Sequence, residues 1–179
     1  ANLSALIAAR HARFGDRGDY RKATVYTSAQ AHHSISKSVR LAGLPSTAMR
    51  IVSVDSNLRM CPRELHAMIR RDADEGLRPM AVVAAAGTTN TGAIDPLPEL
   101  VDVCQATGTW LHIDGAYGGA FVLCPEGREL LQGIGGADSI TFDPHKGLFL
   151  PYGTGCLLVK DGRSLLSAHD ADASYLQDF

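Results

Sequence analysis

The sequence is short of the features that would direct it to a membrane, to a nucleic acid or out of the cell. No apolar run approaches the ~20 residues that span a bilayer. No basic stretch followed by an apolar core and a cleavage site opens the chain, so it reads as having no secretory leader. Neither sign of charge is in excess: 17 Lys and Arg stand against 19 Asp and Glu, a formal net charge of −2. A basic patch of the kind that holds nucleic acid or an anionic membrane is therefore not expected. Cysteine is sparse and scattered. Cys61, Cys104, Cys124 and Cys156 form no Cys-x-x-Cys pair, which argues against a zinc ribbon or disulfide framework and fits free thiols in a reducing cytoplasm. No repeat, low-complexity tract or linker divides the 179 residues, so no domain boundary is placed.

What the chain does contain is a regular alternation of two patterns. Leu3, Leu6, Ile7 and Phe14 recur at helical spacing, and Gly15 and Gly18 end that segment. Further helices are predicted over 32–41, 62–76, 96–105 and 126–131. Between them, runs rich in apolar and β-branched residues predict strands over 23–28, 50–55, 80–86, 110–114, 139–142 and 154–160. The stretch 80–86 is apolar without a break, as in a strand buried on both faces. Strands alternating with helices in this way predict an α/β layer with a largely parallel sheet.

In open α/β sheets ligands sit beyond the carboxyl ends of the strands. Four predicted ends carry polar or glycine-rich residues: 28–32, 87–91, 114–117 and 143–146. At the last, Pro144 stops the strand and Gly147 lends backbone freedom, leaving Lys146 on a tight turn beside His145. A lysine held in this way can lose solvation, lower its pKa and attack a carbonyl. Gly87-Thr-Thr-Asn-Thr-Gly92 has the glycine spacing of a phosphate loop, but Ala93-Ile94 stands where such a loop needs Lys-Ser/Thr. A nucleotide site is excluded there. A metal site from His112, Asp114 and His145 is the competing chemistry, since imidazole and carboxylate are suitable ligands and His112 and Asp114 share a strand face.

Three stretches carry a resemblance: Trp110-Leu-His-Ile-Asp-Gly-Ala-Tyr-Gly-Gly119, Asp143-Pro-His-Lys146 and Gln30-Ala-His-His-Ser34, with 32 residues between Asp114 and Lys146. Together they resemble the pyridoxal-phosphate (PLP) dependent amino-acid decarboxylases, the group that includes the aromatic amino-acid and glutamate enzymes. The resemblance covers essentially the whole chain. It implies the large domain of a fold type I PLP enzyme, with residues 1–179 forming part of that domain. The phosphate loop would lie upstream of the helix that Ala1 to Arg10 begins. The small domain would lie beyond Asp172 to Phe179, which stop without a closing element.

The resemblance also assigns roles. Asp114 would hold the pyridine nitrogen, Lys146 would form the Schiff base, and Ala116 would lie under the ring. His32, rather than its neighbour His33, would stack on the ring and help order the substrate carboxylate. Thr89 would stand beside the 3′-oxygen and His145 near the phosphate. Asp95 would cap a helix or support the site. Gly115 stands where an alanine is expected, and Asp143 where many relatives have asparagine; no phosphate contact is carried onto Asp143, since an ionised carboxylate cannot donate. The implied reaction is decarboxylation of an L-amino acid to its amine and CO2, in a cytoplasmic homodimer whose active site lies between subunits. No nucleic-acid or membrane partner is implied. Another PLP reaction on the same fold, an aminotransferase or carbon–carbon lyase, is the alternative. A metal-assisted hydrolase or an inactive fragment ranks below it.

Overall fold

The computed structural model describes residues 1–15 and 18–169, so the reading of Asp172 to Phe179 lies outside the described residues. Six strands form one sheet in the order β2-β1-β3-β4-β5-β6: β1 (Ala23–Ser28), β2 (Met49–Val52), β3 (Arg78–Ala85), β4 (Trp110–Asp114), β5 (Ser139–Phe142) and β6 (Cys156–Val159). β1 to β5 pair in parallel, and β6 runs antiparallel to β5. The reversal at β6 follows from its connection. The only helix between β5 and β6 is α6 (Pro144–Gly147), a single turn, whereas a parallel crossover usually carries a full helix across the sheet face.

The remaining helices cover both faces: α1 (Asn2–Phe14), α2 (Ser34–Leu41), α3 (Pro62–Asp74), α4 (Leu97–Thr107), α5 (Pro125–Leu130) and α7 (Gly162–His169). Strand side chains alternate, and the core divides accordingly. Tyr26, Val82, Ala84, Leu111 and Ile113 pack with Leu65 and Ile69 of α3 and Leu97 and Leu100 of α4. Val25, Ala81 and Val83 pack with Leu6 and Ala9 of α1 and Ile35 and Val39 of α2. β3, the unbroken apolar run, is buried along its length after Arg78. Among the described residues no helix is long and apolar enough to cross a membrane.

Several boundaries differ from the sequence expectation, each for a local reason. The strand predicted over 50–55 stops at Val52, because the Asp55 carboxylate captures the backbone N–H groups of Asn57 and Arg59 and closes a turn. The helix predicted from His32 begins at Ser34, with His32 and His33 in the turn before it. Ala86 leaves β3 and forms an isolated bridge with Ile94. Gly147 is not among the residues with positive φ. Its role is close approach: a Cβ there would lie 2.5 Å from the Ala120 Cβ, so glycine lets α6 lie against the 3-10 turn Gly118–Leu123.

Candidate active site

Parallel register brings the strand ends onto one rim. Ala85 pairs with Asp114, and Asp114 with Thr141. A cleft of about 390 Å³ opens along this rim, reached from all four predicted ends and from the first residues of α1. Its walls include His32, Thr89, Asp114, Ala116, Asp143 and Lys146.

Asp114 closes β4. Its Oδ1 accepts the Ala116 backbone N–H at 3.2 Å and its Oδ2 accepts Asn2 Nδ2 at 2.9 Å. Lys146 stands on α6, with Nζ 2.9 Å from Asp143 Oδ2. His32 lies in the turn after β1. Burial foremost, then the neighbouring His33, lowers its pKa, against the raising influence of Asp114, so the ring is neutral at pH 7. The His33 ring lies against it at 4.1 Å between centroids, so the two imidazoles are neighbours rather than divergent, but His33 is exposed and does not line the cleft. Thr89 is exposed at the mouth, while Thr88 is taken up by the turn, bonded to Thr91 Oγ1 and to the Ala93 N–H.

One expected contributor, His145, lies elsewhere, and another, Asp95, lines the cleft without capping a helix. His145 does not line the cleft; its Nδ1 donates to the Thr154 carbonyl and its ring packs edge-on to Tyr152. Asp95 caps no helix. It is buried, accepts the backbone N–H groups of Met60 and Ala85 at 2.7 Å each, and so ties down the end of β3. The metal arrangement of His112, Asp114 and His145 is not assembled, because both ring nitrogens of His112 are bonded to protein and His145 faces Thr154.

Sequence places His112 and Asp114 on one strand face but does not announce the polar neighbours they meet there. Period-two alternation puts His112 and Asp114 on one face of β4, with Ser139 and Thr141 beside them on β5, and Asn2 of α1 lands on that face. The strand pattern could have placed the first four. Asn2 is 112 residues from Asp114, and no local pattern announces it.

The donor set suits one kind of guest. A carboxylate held by two N–H donors, a primary amine and a neutral imidazole share one cleft, which fits a molecule with a basic ring nitrogen and a reactive carbonyl. A mostly parallel α/β sheet with these groups at its strand ends matches what is expected of a PLP-dependent enzyme. The chain belongs to the pyridoxal-dependent decarboxylase family, whose conserved-domain model matches residues 1–179. It is 40% identical over 178 residues to an aromatic-L-amino-acid decarboxylase of Bacillus atrophaeus, covering 99% of this chain and 37% of that protein. It is 39% identical over 182 residues to a cysteine sulfinic acid decarboxylase of Homo sapiens, covering 98% and 37%. A crystal structure of Oryza sativa TDC with PLP and tryptamine superposes with a TM-score of 0.94 at 34% identity, over 99% of this chain and 38% of that one. The chain thus spans little more than a third of the length of these relatives.

Proposed function

We propose that the protein to which this chain belongs decarboxylates an L-amino acid to its amine and CO2, with PLP held by the residues described above. The observation that carries this reading is the meeting of Lys146, Asp114 and His32 in one cleft. Lys146 supplies the primary amine for covalent attachment of the cofactor as a Schiff base. Asp114 addresses the pyridine nitrogen, Ala116 leaves room beneath the ring, and Thr89 stands at the mouth for the 3′-oxygen. His32, neutral and half-buried, packs on the ring and can donate a hydrogen bond to the substrate carboxylate. Bound PLP supplies the electron sink that takes up the pair left when CO2 departs. His145 is given no phosphate contact, since its ring is committed to Thr154.

The parent protein is further proposed to be a cytoplasmic homodimer, with this chain as part of its large domain and the phosphate loop and small domain in the remaining length. Beside the cleft, Phe149 and Tyr152 are 93% and 94% exposed, an apolar surface suited to a second subunit. The product amine names the substrate, since relatives are named for aromatic, acidic and basic amino acids.

The test uses the full-length parent with added PLP. Borohydride should trap a covalent adduct in the parent and none in Lys146→Ala, and CO2 release should be lost with it. A folded parent that traps no adduct sinks the reading. A trapped adduct with oxo acid or aldehyde as product, and no amine, turns it to an aminotransferase or lyase.

A further inference from the structure

The carboxamide of Asn2 uses every hydrogen-bonding position it has. Nδ2 donates to Asp114 Oδ2 at 2.9 Å and to Ser34 Oγ at 3.0 Å. Oδ1 accepts from His112 Nε2 at 3.0 Å and from the Thr141 hydroxyl. Two donors and two lone pairs are the full inventory of a side-chain amide.

The direction of these bonds is set from the carboxylate end of the network. Asp114 Oδ2 accepts from Asn2 Nδ2, so Asn2 Oδ1 is left to accept, and His112 Nε2 donates to it. His112 Nδ1 then accepts from the Ser139 hydroxyl, 2.9 Å away, while Ser139 Oγ accepts from Trp110 Nε1 at 2.8 Å. The His112 proton then resides on Nε2, where it points at Asn2 Oδ1. Burial, the largest influence, pushes this imidazole down to about 4, so the neutral ring persists at pH 7. With two donors addressing Oδ1, the amide has one orientation left, and its NH2 group faces Asp114 and Ser34. Ser34 Oγ accepts from Asn2 and sends its proton to His32 Nδ1 at 2.8 Å, where the Ser34 backbone N–H also points at 3.3 Å. The His32 proton is thereby placed on Nε2.

We propose that Asn2, oriented by His112 and Thr141, is a positioning residue that aims the Asp114 carboxylate at the pyridine nitrogen. The proposal rests on the assignment of Asp114 to the cofactor nitrogen made above. Without Asn2 the carboxylate keeps one hydrogen-bond donor among the described residues, the Ala116 N–H, and can turn away from the ring. Loss of a hydrogen bond to a charged group corresponds to about a tenfold effect or more.

The experiment reconstitutes the full-length apo-protein with PLP carrying 15N in its ring, and reads both the dissociation constant and the 15N resonance, which reports protonation of that nitrogen. Asn2→Ala should weaken PLP binding about tenfold or more and move the resonance towards the unprotonated position. Thr141→Val, which keeps the β-branched shape, should act in the same direction but less. A folded Asn2→Ala protein with parental affinity and resonance overturns the inference. If Asn2→Ala does not fold, Thr141→Val decides, and parental values there overturn it equally. Asp114→Asn separates the two levels. If it leaves the resonance unmoved, the cofactor assignment itself fails; if it moves the resonance and Asn2→Ala does not, only the role of Asn2 fails.

Discussion

Lys146 Nζ lies 2.9 Å from Asp143 Oδ2, with 42% of the lysine side chain and 17% of the aspartate exposed. The pair spans i, i+3 across the start of α6, so the same turn that presents the amine also supplies its anchor. To attach a cofactor, the amine must leave this carboxylate. A partly exposed pair is worth about 0.2–1 kcal/mol. In the full-length protein, Asp143→Asn should therefore speed covalent PLP incorporation, followed by borohydride trapping, by about two- to fivefold. An unchanged or slower rate would show that the pair does not restrain the lysine.

Gly147 gives a second prediction, separable from overall stability. A methyl group there meets Ala120 at 2.5 Å, and α6 must shift to admit it. Gly147→Ala should reduce trapped adduct severalfold while lowering the urea midpoint only slightly, because α6 lies at the rim. An adduct yield equal to the parent's would mean the turn adapts without moving the lysine.

Stability should be most sensitive far from the cleft. Asp72 of α3 is 2% exposed, accepts the Tyr26 hydroxyl at 2.7 Å and pairs with Arg50 at 3.0 Å. Asp72→Ala strands a partly buried guanidinium and a buried phenol. It should destabilise the protein by about 3 kcal/mol, read by chemical denaturation. A loss under about 1 kcal/mol would show that water replaces the carboxylate.

His112 makes stability depend on pH with a definite sign. Its folded pKa, about 4, lies below the unfolded value of about 6.5. Below pH 6.5 the unfolded chain takes up a proton that the folded chain excludes, so this residue's contribution falls as pH drops from about 6.5 to 4 and is level below. The full difference is on the order of 3 kcal/mol. Asp95, raised chiefly by burial, acts in the opposite sense as its folded form is protonated. Comparing denaturation of the parent and His112→Gln across this window isolates the histidine: the variant should lose the slope, and an equal slope would reassign it.

Much of this architecture was legible in the sequence because its causes are local. The β-branched, apolar and alternating runs at 23–28, 110–114 and 139–142 form strands with those bounds, and the apolar run near 80–86 forms the two-sided central strand. The family followed from short motifs at strand ends. Other features depend on contacts that a linear pattern does not carry. The antiparallel β6 goes with a connection from β5 that holds only one helical turn. Gly147, expected to lend backbone freedom, serves as a spacer, because only the fold brings Ala120 to it. His145, adjacent to Lys146, turns back to Thr154 because consecutive residues on a helical turn point in different directions.

The bonds of Asn2 have a consequence for how the protein comes into being. Thr141 is 139 residues further along the chain, so the carboxamide completes its four partners only after nearly every strand has been made and docked. Contacts of such wide separation form late, since the loops they close must be ordered first. On a ribosome the Asn2 carboxamide would lack its Thr141 partner until β5 had emerged, so the full set of bonds behind Asp114 would record the docking of that strand.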